Sequence, residues 1–451
     1  MALFAGRRVV VIGLGASGRA AAAVLAEEGA RVIVSERRPI EDVAGGAELV
    51  ALGVELRGGG HRPEDLQGAD LVVASPGVPE SAPVLAWARD GALPVWSELE
   101  LGARFCRVPV VAVTGTNGKT TTTEMVAAAM RAAGLDATAC GNIGYPFSLA
   151  AREDHDALAV EASSFQLRFH ETFHPKVSVL VNLADDHLDW HGSFDSYAAA
   201  KARVFERQGE GDTHVGNVDD SAAAALSSTA PCETVWFRLG PPGPGEVGYE
   251  GGQLVSDLGD RGDRSVSLGV PAGTSSGFLA DAAAAAAAAI SFGLPPDAVG
   301  AGIRAVEPLP HRGRVVARAG SVAFVDDSKA TNPHAALAAL EGLHDVVLIA
   351  GGFSKGVDLS PLRTATSRLA GVVVMGDAAA EIAALFDSVV PVRKAGSIEE
   401  ASRLALELAP EGGTVLLAPA CASQDMFRDY KERGERFAAA AAALAHEGSE
   451  R

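Results

Sequence analysis

The run Val111-Ala112-Val113-Thr114-Gly115-Thr116-Asn117-Gly118-Lys119-Thr120-Thr121 joins an apolar stretch to a glycine turn that carries Lys-Thr. Such a turn cradles phosphates: loop N–H groups point at the anion, Lys119 reaches the β and γ oxygens, and the Thr120 hydroxyl can hold Mg²⁺. The strict GxxxxGK[ST] spacing is missed because position 113 is Val, but the mechanics survive. Two further groups suit a hard cation. Glu161, in Glu161-Ala162-Ser163-Ser164-Phe165-Gln166, ends an apolar run where a carboxylate can serve as a metal ligand, although a lone acid there also caps helices. Asn182-Leu183-Ala184-Asp185-Asp186-His187-Leu188-Asp189-Trp190-His191 is dense in acids and histidines, with a solvated loop as its plainer alternative.

A second glycine turn lies near the N-terminus. Gly13, Gly15 and Gly18 match GxGxxG between an apolar run and an alanine-rich stretch, and the acid Glu36 closes the next strand. Three readings stay open: a turn that only packs helix on strand, the nicotinamide dinucleotide site of an oxidoreductase, or a site for another diphosphate such as a UDP-sugar.

Parallel α/β elements must position these residues. Strands are expected at Arg8 to Ile12, Arg31 to Val34, Asp70 to Ala74 and Val95-Trp96, with the first domain ending near Ser97 to Gly102. Val108 to Val113, Ala157 to Glu161 and Val177 to Asn182 form a second set, with a helix from Lys119 to about Ala133. Pro241 to Gly252 reads as turns between short strands of a peripheral hairpin region, and Asp281 to Ile290, nearly all alanine, as a tightly packed helix. After a break at Glu307-Pro308-Leu309-Pro310, strands at Val322 to Asp326, Asp345 to Ala350, Gly371 to Met375 and Thr414 to Ala418 make a third α/β unit. At 451 residues the chain has room for about three domains. The net charge of −19 disfavours nucleic-acid binding by bulk charge, so an anionic ligand needs local cations. Cys106, Cys140, Cys232 and Cys421 are far apart with no CxxC spacing, which argues against a disulfide framework or thiolate zinc site and fits a reducing cytoplasm. Neither a secretory leader nor a membrane span is expected.

Taken together, the TGTNGKTT loop, the E-x-SSFQL segment, the N-L-x-x-DHLD segment and a downstream lysine, Lys201 in Tyr197-Ala198-Ala199-Ala200-Lys201, resemble the Mur ligase family. Further on, Leu309-Pro310-His311-Arg312, Asp327-Ser328-Lys329-Ala330-Thr331-Asn332, Gly351-Gly352-Phe353-Ser354-Lys355-Gly356 and Pro419-Ala420-Cys421-Ala422-Ser423 resemble the branch that adds D-glutamate to UDP-N-acetylmuramoyl-L-alanine. The resemblance implies three domains: a Rossmann-like UDP-sugar-binding domain (1–98), a central P-loop ATP-binding domain with a mostly parallel sheet (99–307), and a Rossmann-like C-terminal domain for D-glutamate (308–451).

What it implies for activity is ATP-driven amide formation through an acyl phosphate, in cytoplasmic peptidoglycan precursor synthesis. Small-molecule substrates and a monomer are expected. Lys119, Glu161, His187 and Lys201 become the catalytic set. Gly115, Thr116, Asn117, Gly118, Lys119, Thr120 and Thr121, with Asp281, Arg312 and Asp327, would bind ATP. Two Mg²⁺ sites would draw on Thr120, Glu161, His187 and Lys201, the last carbamylated. The UDP-sugar would meet Gly15, Ala16, Ser17, Glu36, Arg38, Ser75, Gly77, Asn142, Ser163 and Gln166. D-Glutamate would meet Lys329, Thr331, Lys355, Ser423 and Tyr430, and domain closure would join its half-site to the nucleotide's.

Two departures stand out: Phe278-Leu279-Ala280-Asp281 replaces the family's adenine-contacting Asn-x-x-Asn, and Tyr430 takes a place that can be Phe. Another Mur-type or folylpolyglutamate-type ligase would share the P-loop and Lys201 but differ in the third domain. An NAD-dependent oxidoreductase would use only Gly13 to Gly18, and a non-catalytic binding protein would leave Lys119, Glu161, His187 and Lys201 without a task.

Overall fold

The computed structural model describes residues 3–142, 144–258, 264–267, 276–307 and 310–449. Ile143, inside the expected sugar-contacting turn, and Pro308 and Leu309 of the expected break lie outside them.

The first sheet contains β1 (Arg8–Ile12), β2 (Arg31–Ser35), β3 (Glu55–Arg57), β4 (Leu71–Ala74) and β5 (Val95–Ser97). All pairs are parallel, in the order β3-β2-β1-β4-β5. Both faces of the central strands are covered, so β1 and β4 are apolar along their buried length rather than alternating. Val9, Val11, Val32, Val34, Leu71 and Val73 feed one core cluster, while Val10, Ile12, Ile33, Val72 and Ala74 feed the other.

The second sheet orders its strands β14-β13-β12-β11-β10-β9-β6-β8-β7. These are β6 (Val110–Thr114), β7 (Ala137–Gly141), β8 (Ala157–Glu161), β9 (Val177–Leu180), β10 (Thr213–Asn217), β11 (Glu233–Leu239), β12 (Glu246–Glu250), β13 (Gln253–Asp257) and β14 (Arg264–Ser267). Pro241 to Gly252, expected as turns between short strands of a hairpin region, holds β12 and the Gly251-Gly252 turn into β13. β12 pairs in parallel with β11 and antiparallel with β13, so this stretch extends the central sheet. Gly245, Gly251 and Gly252, all at positive φ, punctuate a strand whose Val247 is fully buried.

The third sheet contains β15 (Arg314–Ala319), β16 (Val322–Asp326), β17 (Val346–Gly351), β18 (Leu369–Met375), β19 (Val392–Lys394) and β20 (Thr414–Leu417). Its order is β15-β16-β20-β17-β18-β19, parallel apart from the unforeseen edge strand β15. In each sheet one strand has neighbours reached in opposite directions: β1 between β2 and β4, β6 between β8 and β9, β17 between β18 and β20. The carboxyl ends of such strands open onto a crevice where ligands bind, and the motifs above sit there.

The alanine run is a helix, Ser276–Phe292, in which Ala282 to Ala289 are wholly buried. The following helix, Pro296–Ala305, lies on the helix Lys119–Ala132. A Cβ on Gly302 would stand 2.4 Å from the N and Cα atoms of Ala129, so the two backbones touch. Over the described residues the chain forms two compact units. One comprises Met1–Leu183, Trp190–Val270 and Ala280–Val306, with the first two sheets; the other comprises Ala184–Asp189, Pro271–Leu279 and Glu307–Arg451, with the third. No helix among the described residues is long and apolar enough to cross a membrane.

Candidate active site

β6 ends at Thr114, and the chain turns through Gly115 (φ +155°) and Gly118 (φ +81°) into the helix Lys119–Ala132. Asn182, just past β9, shapes this turn: its Oδ1 accepts the N–H groups of Thr116 (3.1 Å) and Asn117 (2.8 Å). The Lys119 ammonium donates to the carbonyls of Gly115 (2.9 Å) and Thr116 (3.0 Å). Lys201, 1% exposed, donates to the same Gly115 carbonyl at 2.6 Å. Two ammonium groups thus converge on one oxygen, a concentration of charge that calls for an anion. The Tyr197 ring lies 4.6 Å from the Lys201 nitrogen, and its hydroxyl is 3.0 Å from Thr116 Oγ1.

At the end of β8 the buried Glu161 carboxylate accepts from the Thr120 hydroxyl (2.8 Å) and from Asn142 Nδ2 (2.7 Å). This hydroxyl and carboxylate form a hard-oxygen donor set that fits Mg²⁺, whose remaining ligands are normally phosphate and water oxygens. Among the described residues no group of three or more His, Cys, Asp or Glu side chains could hold a metal alone. Asp281 meets the turn as well: a Cβ on Gly118 would fall 1.9 Å from its Oδ1. Thr121 begins the buried face of the helix.

The first glycine turn differs. Glu36 reaches back from the end of β2, accepting the Leu14 N–H at 2.6 Å and the backbone N–H and Nε of Arg38 at 3.1 and 3.0 Å. Burial works to raise its carboxyl, but the Arg38 and Leu14 hydrogen bonds outweigh it and hold Glu36 below the ordinary range. The acid that an NAD site would offer to a ribose hydroxyl is already engaged with the turn. Gly18 allows the approach of helix to turn, since a Cβ there would stand 2.0 Å from the Gly13 carbonyl oxygen, which accepts from Ser75 Oγ at 3.0 Å. Gly15, Ala16 and Ser17 form the helix start, and Cβ atoms on Gly15 or Gly77 would meet open space.

Ser163 and Gln166 have local partners. Gln166 is wholly buried; its Oε1 accepts from Ser163 N and Oγ, and its Nε2 lies 3.5 Å from Glu98. Burial pushes Glu98 up, and its other oxygen accepts the Ser148 N–H at 2.6 Å. Glu98 was not singled out in the sequence; its place in the first turn of the helix Glu98–Ala103 was the available signal.

In the other compact unit, Asp186 pairs with Lys355 at 3.0 Å and accepts from Asn332 at 3.2 Å. Burial would raise Asp186, but His187, Lys355 and Asn332 together hold it low. His187 and Lys355 both have positive φ, 53° and 56°. Lys329 Nζ lies 4.0 Å from the Tyr430 ring centroid. Thr331 follows Lys329 in a tight turn, and Ser423 is buried beyond β20. Burial pushes Asp327 up to about 7 despite the pull of Arg312, with Asp326 adding to the rise. The fully buried Arg433, another residue the sequence reading missed, binds Ser328 Oγ and O and the Cys421 carbonyl.

Residues 7–97 match "Mur ligase MurD-like, N-terminal domain", residues 113–239 "Mur ligase middle domain", and residues 311–421 "Mur ligase, glutamate ligase domain". The chain is 45% identical over 97% of its length to the UDP-N-acetylmuramoylalanine--D-glutamate ligase of Frankia casuarinae, covering 94% of that protein. This chain belongs to the Mur ligase family. A relative of the same name from Thermobifida fusca is 43% identical, with 98% of this chain and 99% of the relative covered. Among solved structures, the fold is similar to UDP-N-acetylmuramate-alanine ligase MurC of Thermotoga maritima (TM-score 0.60, 19% identity, 98% of this chain and 100% of that one). It is also similar to MurF ligase of Thermotoga maritima in complex with ADP (TM-score 0.61, 17% identity, 99% and 96% covered).

Proposed function

We propose that this Mur ligase is the ATP-dependent enzyme that joins D-glutamate to UDP-N-acetylmuramoyl-L-alanine, forming ADP and phosphate, in cytoplasmic peptidoglycan precursor synthesis. One observation carries the reading: Lys119 and Lys201 converge on the turn after β6, beside the Thr120–Glu161 pair. The substrate carboxylate attacks the γ-phosphorus, the bond to the bridging oxygen breaks toward ADP, and an acyl phosphate results. The amine of D-glutamate then attacks the acyl carbon, and phosphate leaves. Such transfers need charge neutralisation and in-line placement more than a protein nucleophile.

In this reading Lys119 leaves the loop carbonyls for the β and γ oxygens, and Asn182 keeps the loop in shape for them. Thr120 and Glu161 would hold Mg²⁺, which supplies neutralisation of charge on the phosphates. Lys201 is read as carbamylated. Its remaining N–H could keep the Gly115 contact while the added CO₂ replaces a crowded cation with an anionic oxygen. Glu36 and Arg38, with Ser75 to Gly77, serve the UDP end, and Asn142 the sugar-peptide portion. Lys355, Thr331, Ser423, Lys329 and Tyr430 serve D-glutamate, a carboxylate of which would take the place of Asp186 on Lys355. Residues 1–98, 99–307 and 308–451 then act as UDP-sugar, ATP and D-glutamate domains.

The test is phosphate release from ATP in the presence of UDP-N-acetylmuramoyl-L-alanine, with D-glutamate, L-glutamate and other amino acids supplied in turn. Release with D-glutamate alone is expected. Equal use of L-glutamate, or release only with another amino acid, overturns the assignment.

A further inference from the structure

The Ser75–Glu80 segment follows β4 and, in the reading above, borders the UDP diphosphate. It is held by side chains that the sequence motifs did not absorb. Trp190, immediately after the DHLD segment, donates its indole N–H to the Val78 carbonyl at 3.2 Å. Arg168, at the end of the helix Ser164–Arg168, grips Glu80 with two parallel hydrogen bonds of 2.9 and 2.8 Å. A fork on a carboxylate fixes direction as well as distance.

Trp190 is itself wedged. Its ring lies 4.8 Å from Phe165, 6.4 Å from Phe169 and 4.4 Å from His191. His191 stacks on Phe165 at an interplanar angle of 8°, lies 3.0 Å from Ser164 Oγ, and meets the Tyr197 ring edge-on at 5.2 Å. Tyr197 in turn reaches Thr116 of the phosphate turn. Packed rings thus run from the Ser75–Glu80 segment to the turn after β6, all within one compact unit.

We infer that Trp190 and Arg168 are positioning residues that hold the Ser75–Glu80 segment in the shape that receives the UDP diphosphate, an inference that rests on the UDP-sugar reading. Neither residue touches the reacting atoms. Their effect should therefore appear in the affinity for the UDP substrate and leave ATP alone.

The experiment compares Trp190→Phe, Arg168→Glu and the charge-swapped double variant Arg168→Glu/Glu80→Arg with the parent enzyme. KM is measured for UDP-N-acetylmuramoyl-L-alanine and for ATP, and calorimetric titration follows the binding of UDP-N-acetylmuramoyl-L-alanine itself. Trp190→Phe keeps a ring and removes one donor; a hydrogen bond of ordinary net worth predicts a rise of about threefold to tenfold in the UDP-substrate KM. ATP KM should stay within about twofold, and the swapped pair should recover most of the loss caused by Arg168→Glu. An unchanged UDP-substrate KM in both single variants overturns the inference, as does an equal rise for ATP, which marks general damage. If the parent enzyme itself fails to bind UDP-N-acetylmuramoyl-L-alanine, the UDP-sugar reading falls and the positioning role falls with it.

Discussion

The turns that follow β1 and β6 share a shape and differ in charge. Both leave a buried parallel strand at a reversal of strand order and enter a helix through glycines. In the first, a carboxylate closes on the turn: Glu36 takes the Leu14 N–H. In the second, ammonium groups close on it: Lys119 and Lys201 share the Gly115 carbonyl. Glycine leaves open space at Gly15 in the first turn, whereas in the second the absent side chain of Gly118 makes way for Asp281. The side chains that fold back onto the turn set its charge, and two of the three, Glu36 and Lys201, come from a neighbouring strand or helix outside the glycine motif.

The largest effects should come from removing the two lysines of the second turn. Lys119→Ala and Lys201→Ala are each expected to lower turnover by roughly 10²- to 10³-fold, the scale of a lost preorganised charge contact. Phosphate release at saturating ATP measures this, and near-normal rates would break the contrast between the turns. For Lys201→Ala, partial rescue by a short carboxylic acid is expected, because the carbamate reading needs an anion there.

Next in size is a cation outside both turns. Lys355→Ala should raise the D-glutamate KM by about tenfold to a hundredfold with little change for ATP, since a hydrogen bond to a charged group is worth about 1.5 to 3 kcal/mol. Steady-state kinetics with each substrate varied separately distinguish the two.

Glycine substitutions probe the turns themselves. Gly118→Ala combines a positive φ with a collision against Asp281, and left-handed backbone alone costs an alanine about 1 to 2 kcal/mol. A roughly fivefold rise in ATP KM is the expected minimum. Gly15→Ala has open space and ordinary φ, so its melting temperature should match the parent while affinity for the UDP substrate falls. Equal destabilisation by the two would show that the glycines serve folding rather than access.

The smallest effect concerns pH. Burial above all, with the ammonium of unmodified Lys201 adding to it, holds His191 down to about 4 from an ordinary 6.5. The unfolded chain therefore takes up this proton near 6.5, and the folded chain only near 4. Stability should be level above about pH 6.5 and fall as pH drops through that window. Buried His214, held by desolvation at about 3, adds a loss of the same sign. Urea midpoints between pH 4.5 and 7.5 test this, and His191→Gln should flatten part of the slope.

Central parallel strands were legible because burial on both faces leaves runs of Val, Ile and Leu. β7 (Ala-Thr-Ala-Cys-Gly) and β15 (Arg-Val-Val-Ala-Arg-Ala) were not, because edge positions relax that demand. The residues of the second turn could be grouped because each follows the end of a strand in one sheet. What stayed hidden were partners distant in sequence: Asn182 on the Thr116 and Asn117 amides, Tyr197 on Thr116, and Asp186 on Lys355. Gln166, expected to meet the sugar, has both amide atoms occupied by Ser163 and Glu98; an isolated SSFQL motif cannot reveal that.

The contact at Gly302 has a mechanical consequence. The helix Lys119–Ala132 behaves as a rigid rod, and Ala129 lies ten residues along it from Lys119, about 15 Å at 1.5 Å per residue. With no side chain between Gly302 and the Ala129 backbone, the rod has no slack on that side. Even one methyl group at position 302 would push its far end outward, and the displacement would reach the ammonium group at its near end. A residue with no charge and no side chain thus bears on the alignment of Lys119.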